Sequence, residues 1–170
     1  MPRLSDTFAN FDLRRNPAMK AALDRCRAVA SGKAWGAMLW GGLGCGKTHL
    51  AIAALNAWIE RHGTGWFWKA PDFLGWVREQ AFGGEGWAVD DLLRPYREGA
   101  FLLVLDDLGT ENPTDWAAEQ LYRVLDSRYD FRLPTIITTN QDLDRLDGRL
   151  VSRFRQGLVV CDGVDVRAGA

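Results

Sequence analysis

The sequence predicts an α/β sandwich built on a mainly parallel sheet. Three observations carry that prediction. Short apolar runs alternate with stretches of helical periodicity. One run, Phe101-Leu-Leu-Val-Leu105, is apolar without interruption, as a central strand covered on both faces must be. A glycine cluster joins the first run to an amphipathic helix.

Taken in order, residues 1–16 read as irregular, with Phe8 and Phe11 as apolar anchors. Pro17 suits a first helical turn, good helix formers follow from Ala18 to Ala30, and Ser31-Gly32 stops them. Ala37–Trp40 is a buried strand. From Lys47 the period becomes helical, and Ala51, Ala54, Leu55, Trp58 and Ile59 share one face. Gly65–Lys69 is a second strand, Pro71 opens a helix to about Phe82, and Gly83, Gly84 and Gly86 form a break. Trp87–Glu98 is a further helix, with Pro95 as its candidate end. The run at 101–105 is the third strand. Thr114 caps the next helix, where Ala117, Leu121, Val124, Leu125 and Arg128 share a side and Glu119–Arg123 make an i,i+4 pair on another. Pro134–Thr139 is the fourth strand. A short helix around Gln141–Arg155 and a last strand, Leu158–Cys161, complete the pattern.

A chain of 170 residues predicts one domain, with no linker visible. Such a core buries roughly 70% of the unfolded surface and needs no metal or disulfide staple. Lys plus Arg number 21 against 22 Asp plus Glu, so bulk charge does not indicate a nucleic-acid binder, although a local patch stays open. The 3 cysteines, Cys26, Cys45 and Cys161, are scattered, which fits a reducing cytosol better than a secreted disulfide framework. With 2 histidines, His49 and His62, a zinc site lacks ligands. No apolar run approaches the roughly 18 residues of a membrane span, and Met1–Asn16 lacks a signal peptide's apolar segment. A soluble, cytoplasmic protein with no membrane partner is expected. The 8 tryptophans follow no period and read as packing residues.

The chemistry concentrates in Gly41-Gly-Leu-Gly-Cys-Gly46-Lys47-Thr48, which matches G-x-x-x-x-G-K-[ST] between a strand and a helix. Glycines let consecutive backbone N–H groups turn onto phosphate oxygens, and the helix N-terminus adds partial positive charge. Lys47 can reach the β- and γ-phosphates, and the Thr48 hydroxyl can ligate Mg²⁺. Cys45 reads as a small residue whose backbone lines the loop. Leu105 delivers Asp106 and Asp107 to the carboxyl end of a buried strand, the edge where open α/β sheets place ligands. Asp106 is the candidate for the metal. Asp107 is the candidate for the attacking water, with Glu111 as a contender. Asn140 closes the fourth strand, where a hydrogen bond to the γ-phosphate or the water competes with a plain turn role. Arg149 and Arg153, spaced i,i+4, share a helix face from which a guanidinium could reach a neighbouring subunit's nucleotide; a solvated basic face is the alternative.

The loop GGLGCGKTHLA, the segment LLVLDDLGTENPTDWAAEQLYRVLDSRYDFRLPTIITTN and the close GRLVSRF together resemble the bacterial helicase-loader ATPases of the DnaC/DnaI/IstB group, within the AAA+ superfamily. The opening TFANFDLRRNPAMKAAL is similar to that group's lead-in, so the resemblance runs from Thr7 to about Arg167. It implies a P-loop NTPase sandwich of five parallel strands in the order 5-1-4-3-2, with residues 1–16 as lead-in, 17–161 as core and 162–170 as tail. A reduced or absent lid, and no helicase-binding domain ahead of Thr7, are expected departures from the group. The resemblance implies ATP and Mg²⁺ as cofactors. Gly41, Gly42, Gly44, Cys45, Gly46, Lys47, Thr48 and His49 would bind the nucleotide, and Thr48 and Asp106 the metal. Asp107 takes the place of the group's usual glutamate, so turnover is expected to be slow. Asn140 becomes sensor 1, Arg153 the trans-acting finger and Arg149 its helper, and Arg167 matches a terminal arginine of some members. The implied function is an ATPase that loads or remodels a DnaB-type replicative helicase on single-stranded DNA, as an ATP-dependent homo-oligomer. Two readings compete with it: an IstB-like transposition helper on duplex DNA, and an assembly module switched by ATP with little hydrolysis.

Overall fold

The computed structural model describes residues 5–83, 86–110, 114–163 and 165. Its strands are β1 (Gly36–Gly41), β2 (Gly65–Lys69), β3 (Leu102–Asp106), β4 (Thr135–Thr139) and β5 (Leu158–Cys161). All pair in parallel, in the order β2-β3-β4-β1-β5, which is the expected order read from the other edge. Around the sheet lie α1 (Lys20–Ala30), α2 (Lys47–His62), α3 (Ala70–Phe82), α4 (Val89–Glu98), α5 (Asp115–Asp130) and α6 (Gly148–Phe154).

Strand alternation sorts the core into two layers. Ala37 and Leu39 of β1, Leu102 and Val104 of β3, and Ile136 of β4 pack with α1 and α2. Their neighbours Met38, Leu103, Leu105 and Ile137 pack with α3, α4, α5 and α6. Every residue of β3 and β4 is buried, whereas the edge strand β2 is only partly covered. Among the described residues no helix is long and apolar enough to cross a membrane.

The structure departs from the sequence reading where packing outweighs local signals. Pro95 does not end α4, which continues to Glu98 because Leu93 and Tyr96 on the same helix are buried. The stretch expected as one helix over 141–155 splits: a 3₁₀ turn at Leu143–Arg145 precedes α6, whose start is fixed when the Asp147 carboxylate accepts the Arg149 N–H at 2.9 Å. Arg123 turns from Glu119 to Gln120 and to Asp90 of α4. Ile59, near the end of α2, is exposed. Trp66 and Trp87 are also exposed, and with Trp76, Tyr96 and Phe101 they line a concavity of about 480 Å³ beside β2 that contains none of the predicted site residues.

Arg128 is the largest fully buried side chain. It is expected from the sequence only as a member of the inward side of α5. Its guanidinium donates from Nε to Thr135 Oγ1, from Nη1 to the carbonyls of Tyr96 and Gly99, and from Nη2 to those of Phe101 and Pro134. That uses all five donors of an arginine, satisfying carbonyls where the chain enters β3 and β4. Burial lowers its pKa to about 9, so it stays charged at neutral pH. Arg128→Leu leaves several buried carbonyls unpaired and is expected to cost about 3 kcal/mol or more, measured by denaturant unfolding.

Candidate active site

The glycine loop grows out of the end of β1, where Trp40 donates its indole N–H to the Gln141 carbonyl at 2.9 Å. The chain then reverses through Gly44 (φ +72°) and Gly46 (φ +105°), both in the left-handed region. Space is as restrictive as conformation. A Cβ at Gly46 would press on the Phe11 ring at 2.7 Å, and one at Gly44 would overlap the Asp165 carboxylate. A carboxylate packed there is what the field of a backbone-amide nest attracts. Gly42 meets neither constraint. No side chain caps the first turn of α2, which leaves its leading amides as donors for an anion.

Lys47 is 7% exposed and folds back over the loop. Its ammonium donates to the carbonyls of Gly41 at 2.9 Å and Gly42 at 2.6 Å, and lies 3.6 Å from Cys45 Sγ. His49 turns elsewhere: its ring lies 3.0 Å from the Thr7 carbonyl and packs edge-on against Phe11. Its predicted cofactor role therefore rests on main chain alone. The lead-in, read from the sequence as irregular, braces the loop. Asn16, 2% exposed, donates to the Cys45 carbonyl at 3.0 Å.

β4 lies between β1 and β3 and connects the loop to the acidic strand end. Asp106 Oδ1 accepts the Thr48 hydroxyl at 2.9 Å and the Thr138 hydroxyl at 2.6 Å. Burial raises the Asp106 pKa, the two hydroxyls oppose the rise, and the charge of Asp107 adds to it. Asp107 adopts φ +58°, uncommon for a residue with a side chain, and its N–H is held by Thr138 Oγ1 at 3.0 Å. Thr139 accepts the Gln141 N–H and donates to the Leu108 carbonyl, closing the same turn. Sequence reasoning missed Thr138. The available signal was a polar pair ending an otherwise apolar strand.

Asn140 Oδ1 is buried and makes no hydrogen bond. Such an atom in a native fold calls for an absent partner. The arginines are placed differently. Arg149 and Arg153 share a face as predicted, both lying over the Tyr122 ring. Their ionic partners are Asp147 and Asp126 of this same chain, and none belongs to the glycine loop. Glu111 and Arg167 lie outside the described residues.

The sequence pattern of the IstB-like ATP binding proteins matches residues 4–152. The chain belongs to that family. Among relatives of this IstB-like protein, an insertion-sequence protein of Mycobacterium tuberculosis is 30% identical over 139 residues, 79% of this chain and 53% of that one. The chromosomal replication initiator protein DnaA of Bordetella pertussis is 32% identical over 125 residues, 72% of this chain but only 26% of the initiator's length. In three dimensions, the crystal structure of the DnaC helicase loader superposes with a TM-score of 0.77 at 27% identity, covering 92% of this chain and 97% of that one.

ATP and a divalent cation fit the residues present. The glycine cradle and uncapped α2 suit phosphates, Thr48 and Asp106 offer hard oxygen donors in mutual contact, and the unpaired Asn140 oxygen awaits a polar neighbour. A testable consequence follows from the buried carboxylate. Asn at position 106 keeps an oxygen for both threonine hydroxyls but removes the desolvated charge. Asp106→Asn is expected to stabilise the fold by about 0.5–2 kcal/mol. The sign follows from the shift. The folded pKa is raised above the ordinary 3.8, so ionisation costs stability as pH rises through the folded value. The advantage of Asn is full above that value and vanishes at pH below 3.8, where the carboxyl is protonated in both states. Thermal melts at acidic and neutral pH check it; a melting temperature lowered at neutral pH contradicts it.

Proposed function

We propose that this chain is an AAA+ ATPase core that assembles with ATP and loads or remodels a DnaB-type replicative helicase on single-stranded DNA. The observation that carries this reading is the near-complete overlap, in both directions, with the DnaC helicase loader. Residues 17–161 form the working core, with residues 1–16 as the lead-in and 162–170 as the tail.

In this reading Lys47 exchanges the Gly41 and Gly42 carbonyls for the β- and γ-phosphates of ATP, and the leading amides of α2 complete the grip. Thr48 and Asp106 hold Mg²⁺, which when bound neutralises charge on the phosphates. Asp107, at the strained turn after β3, orients the attacking water and takes its proton. Asn140 uses its side-chain amide to fix the water or the γ-phosphate. Arg153 leaves Asp126 to reach a neighbouring subunit's phosphates, helped by Arg149. Asp107 is one methylene shorter than glutamate, which suits slow turnover.

A second reading draws on the family itself and on the insertion-sequence relative: a transposition helper that assembles on duplex DNA. One experiment separates the two. Phosphate release and assembly are measured with ATP in the presence of a DnaB-type helicase with single-stranded DNA, and of duplex DNA alone. Stimulation and co-sedimentation with the helicase support loading. Filaments on duplex DNA without helicase binding support the transposition reading. Assembly with no phosphate release under either condition rejects the ATPase in favour of an ATP-driven switch.

A further inference from the structure

The aromatic hollow beside β2 takes no part in the nucleotide site, and its walls have a definite chemistry. Tyr96 of α4 forms its floor and is 7% exposed. Trp66, Trp76 and Phe101 stand around that ring at centroid distances of 6.2, 5.9 and 6.2 Å, inclined to it by 67°, 70° and 85°. Rings that meet so steeply do not cover one another by stacking, and ring faces stay turned toward the hollow. Trp66 is 46% exposed and Trp87, at the rim, 49%. Gln80 and Asp91 supply the polar lining, and no lining residue is basic.

Elsewhere the chain covers its rings with its own arginines: guanidinium groups lie over Phe8, Trp35, Trp116, Tyr122 and Tyr129. Among the described residues none lies over Trp66, Trp76 or Tyr96. On the buried side of the cluster Arg128 stands 5.0 Å from the centre of the Phe101 ring, so a guanidinium already packs there from within. Ring faces are electron-rich and Asp91 adds a carboxylate, which makes the open side complementary to a cation. Asp91 is paired with Arg94 of its own helix, and both are half-exposed. A pair of that kind contributes little and exchanges readily for a better-placed guanidinium.

We propose that this hollow and the outer edge of β2 together dock an extended segment of a partner protein, whose arginine side chain enters the aromatic hollow and meets Asp91. Two features fix how the cation is carried. The hollow, about 480 Å³, is larger than one guanidinium fills, so the ligand brings further apolar mass. β2 is also the end strand of the sheet, and no described strand pairs with its outer edge. A segment laid along that edge places alternate side chains on the face of Trp66 and Trp68, which is the side of the hollow. Arginine suits the hollow better than lysine, because its flat group stacks on a ring while its fork meets a carboxylate. A nucleic-acid strand also stacks on tryptophan, but it would bring phosphates to Asp91 with no basic lining residue to receive them.

The test uses the full chain and a fluorescently labelled peptide in which one arginine is flanked by valines and threonines. Anisotropy is expected to show saturable binding. Citrulline in place of the arginine keeps the shape, removes the charge and is expected to weaken binding about tenfold or more. Trp66→Leu keeps apolar bulk but removes the indole face, and Asp91→Asn removes the carboxylate charge; each is expected to weaken the arginine peptide about fivefold or more. N-acetylarginine amide, which has no strand to add, is expected to compete at least about tenfold more weakly than the unlabelled peptide. Absence of saturable binding, equal binding of the citrulline peptide, or equal competition by the free amide overturns the proposal. So does a single-stranded oligonucleotide whose binding depends on Trp66 while the peptide stays unbound. Should Trp66→Leu not fold, the citrulline peptide, which leaves the chain unaltered, decides. None of these residues belongs to the nucleotide site, so the outcome is independent of the proposed ATPase.

Discussion

Lys47→Ala is expected to weaken ATP binding by two orders of magnitude or more while leaving the fold intact. In the structure the ammonium is nearly covered, and its hydrogen bonds go to the Gly41 and Gly42 carbonyls and to Cys45. Those acceptors belong to the loop itself, so the lysine serves the loop until phosphates replace them. A hydrogen bond between charged groups contributes about 1.5–3 kcal/mol, and each 1.4 kcal/mol is roughly tenfold in affinity. Loss of contacts to two phosphates therefore exceeds about a hundredfold. The fold is spared because Gly42, one of the abandoned carbonyls, lies at the exposed surface where water replaces the ammonium. Lys47→Arg is not expected to rescue binding, since a planar fork does not replace a point charge in so tight a turn. Titration calorimetry and a melting curve on the same variant check both halves. Unchanged affinity with an intact fold refutes the assignment of the loop.

Arg153→Ala is expected to keep ATP binding yet lose assembly-dependent hydrolysis by about 10³-fold or more, the scale of an arginine finger. The structure adds a condition invisible in the sequence. Arg153 is paired with Asp126 and lies over Tyr122 and Tyr129 of its own chain. Both partners are partly exposed, so that pair is worth roughly 1 kcal/mol or less and is exchanged cheaply when a neighbour's phosphates arrive. Asp126→Asn should accordingly raise turnover at protein concentrations where assembly is incomplete, with little change in stability. The measurement is phosphate release against protein concentration for the parent and both variants. Equal activity of dilute monomers with and without Arg153 ends the finger assignment.

How legible the site was depends on how far apart in the chain its parts lie. The glycine loop, Lys47 and Thr48 are contiguous, and a strand-to-helix reversal around an anion needs those residue types in that order. Asp106 was legible because an acid ending a wholly apolar run stands at the carboxyl edge of a sheet. Thr138 was not: its hydroxyl matters only because β4 lies beside β3, where it holds both the Asp106 carboxylate and the Asp107 amide. His49 shows the reverse case. Its place in the motif suggested the nucleotide, but its side chain belongs to Thr7 and Phe11.

By itself the sequence determined the strand and helix content, the parallel sheet and the phosphate loop, because each is set by spacing and residue type within a short window. Only the tertiary structure decided that Arg128 would be spent on the carbonyls at the entries to β3 and β4, and that the lead-in would brace the loop through Asn16. Those contacts join residues brought together by packing. A hydrogen bond between distant positions leaves no periodicity in the chain from which it can be read.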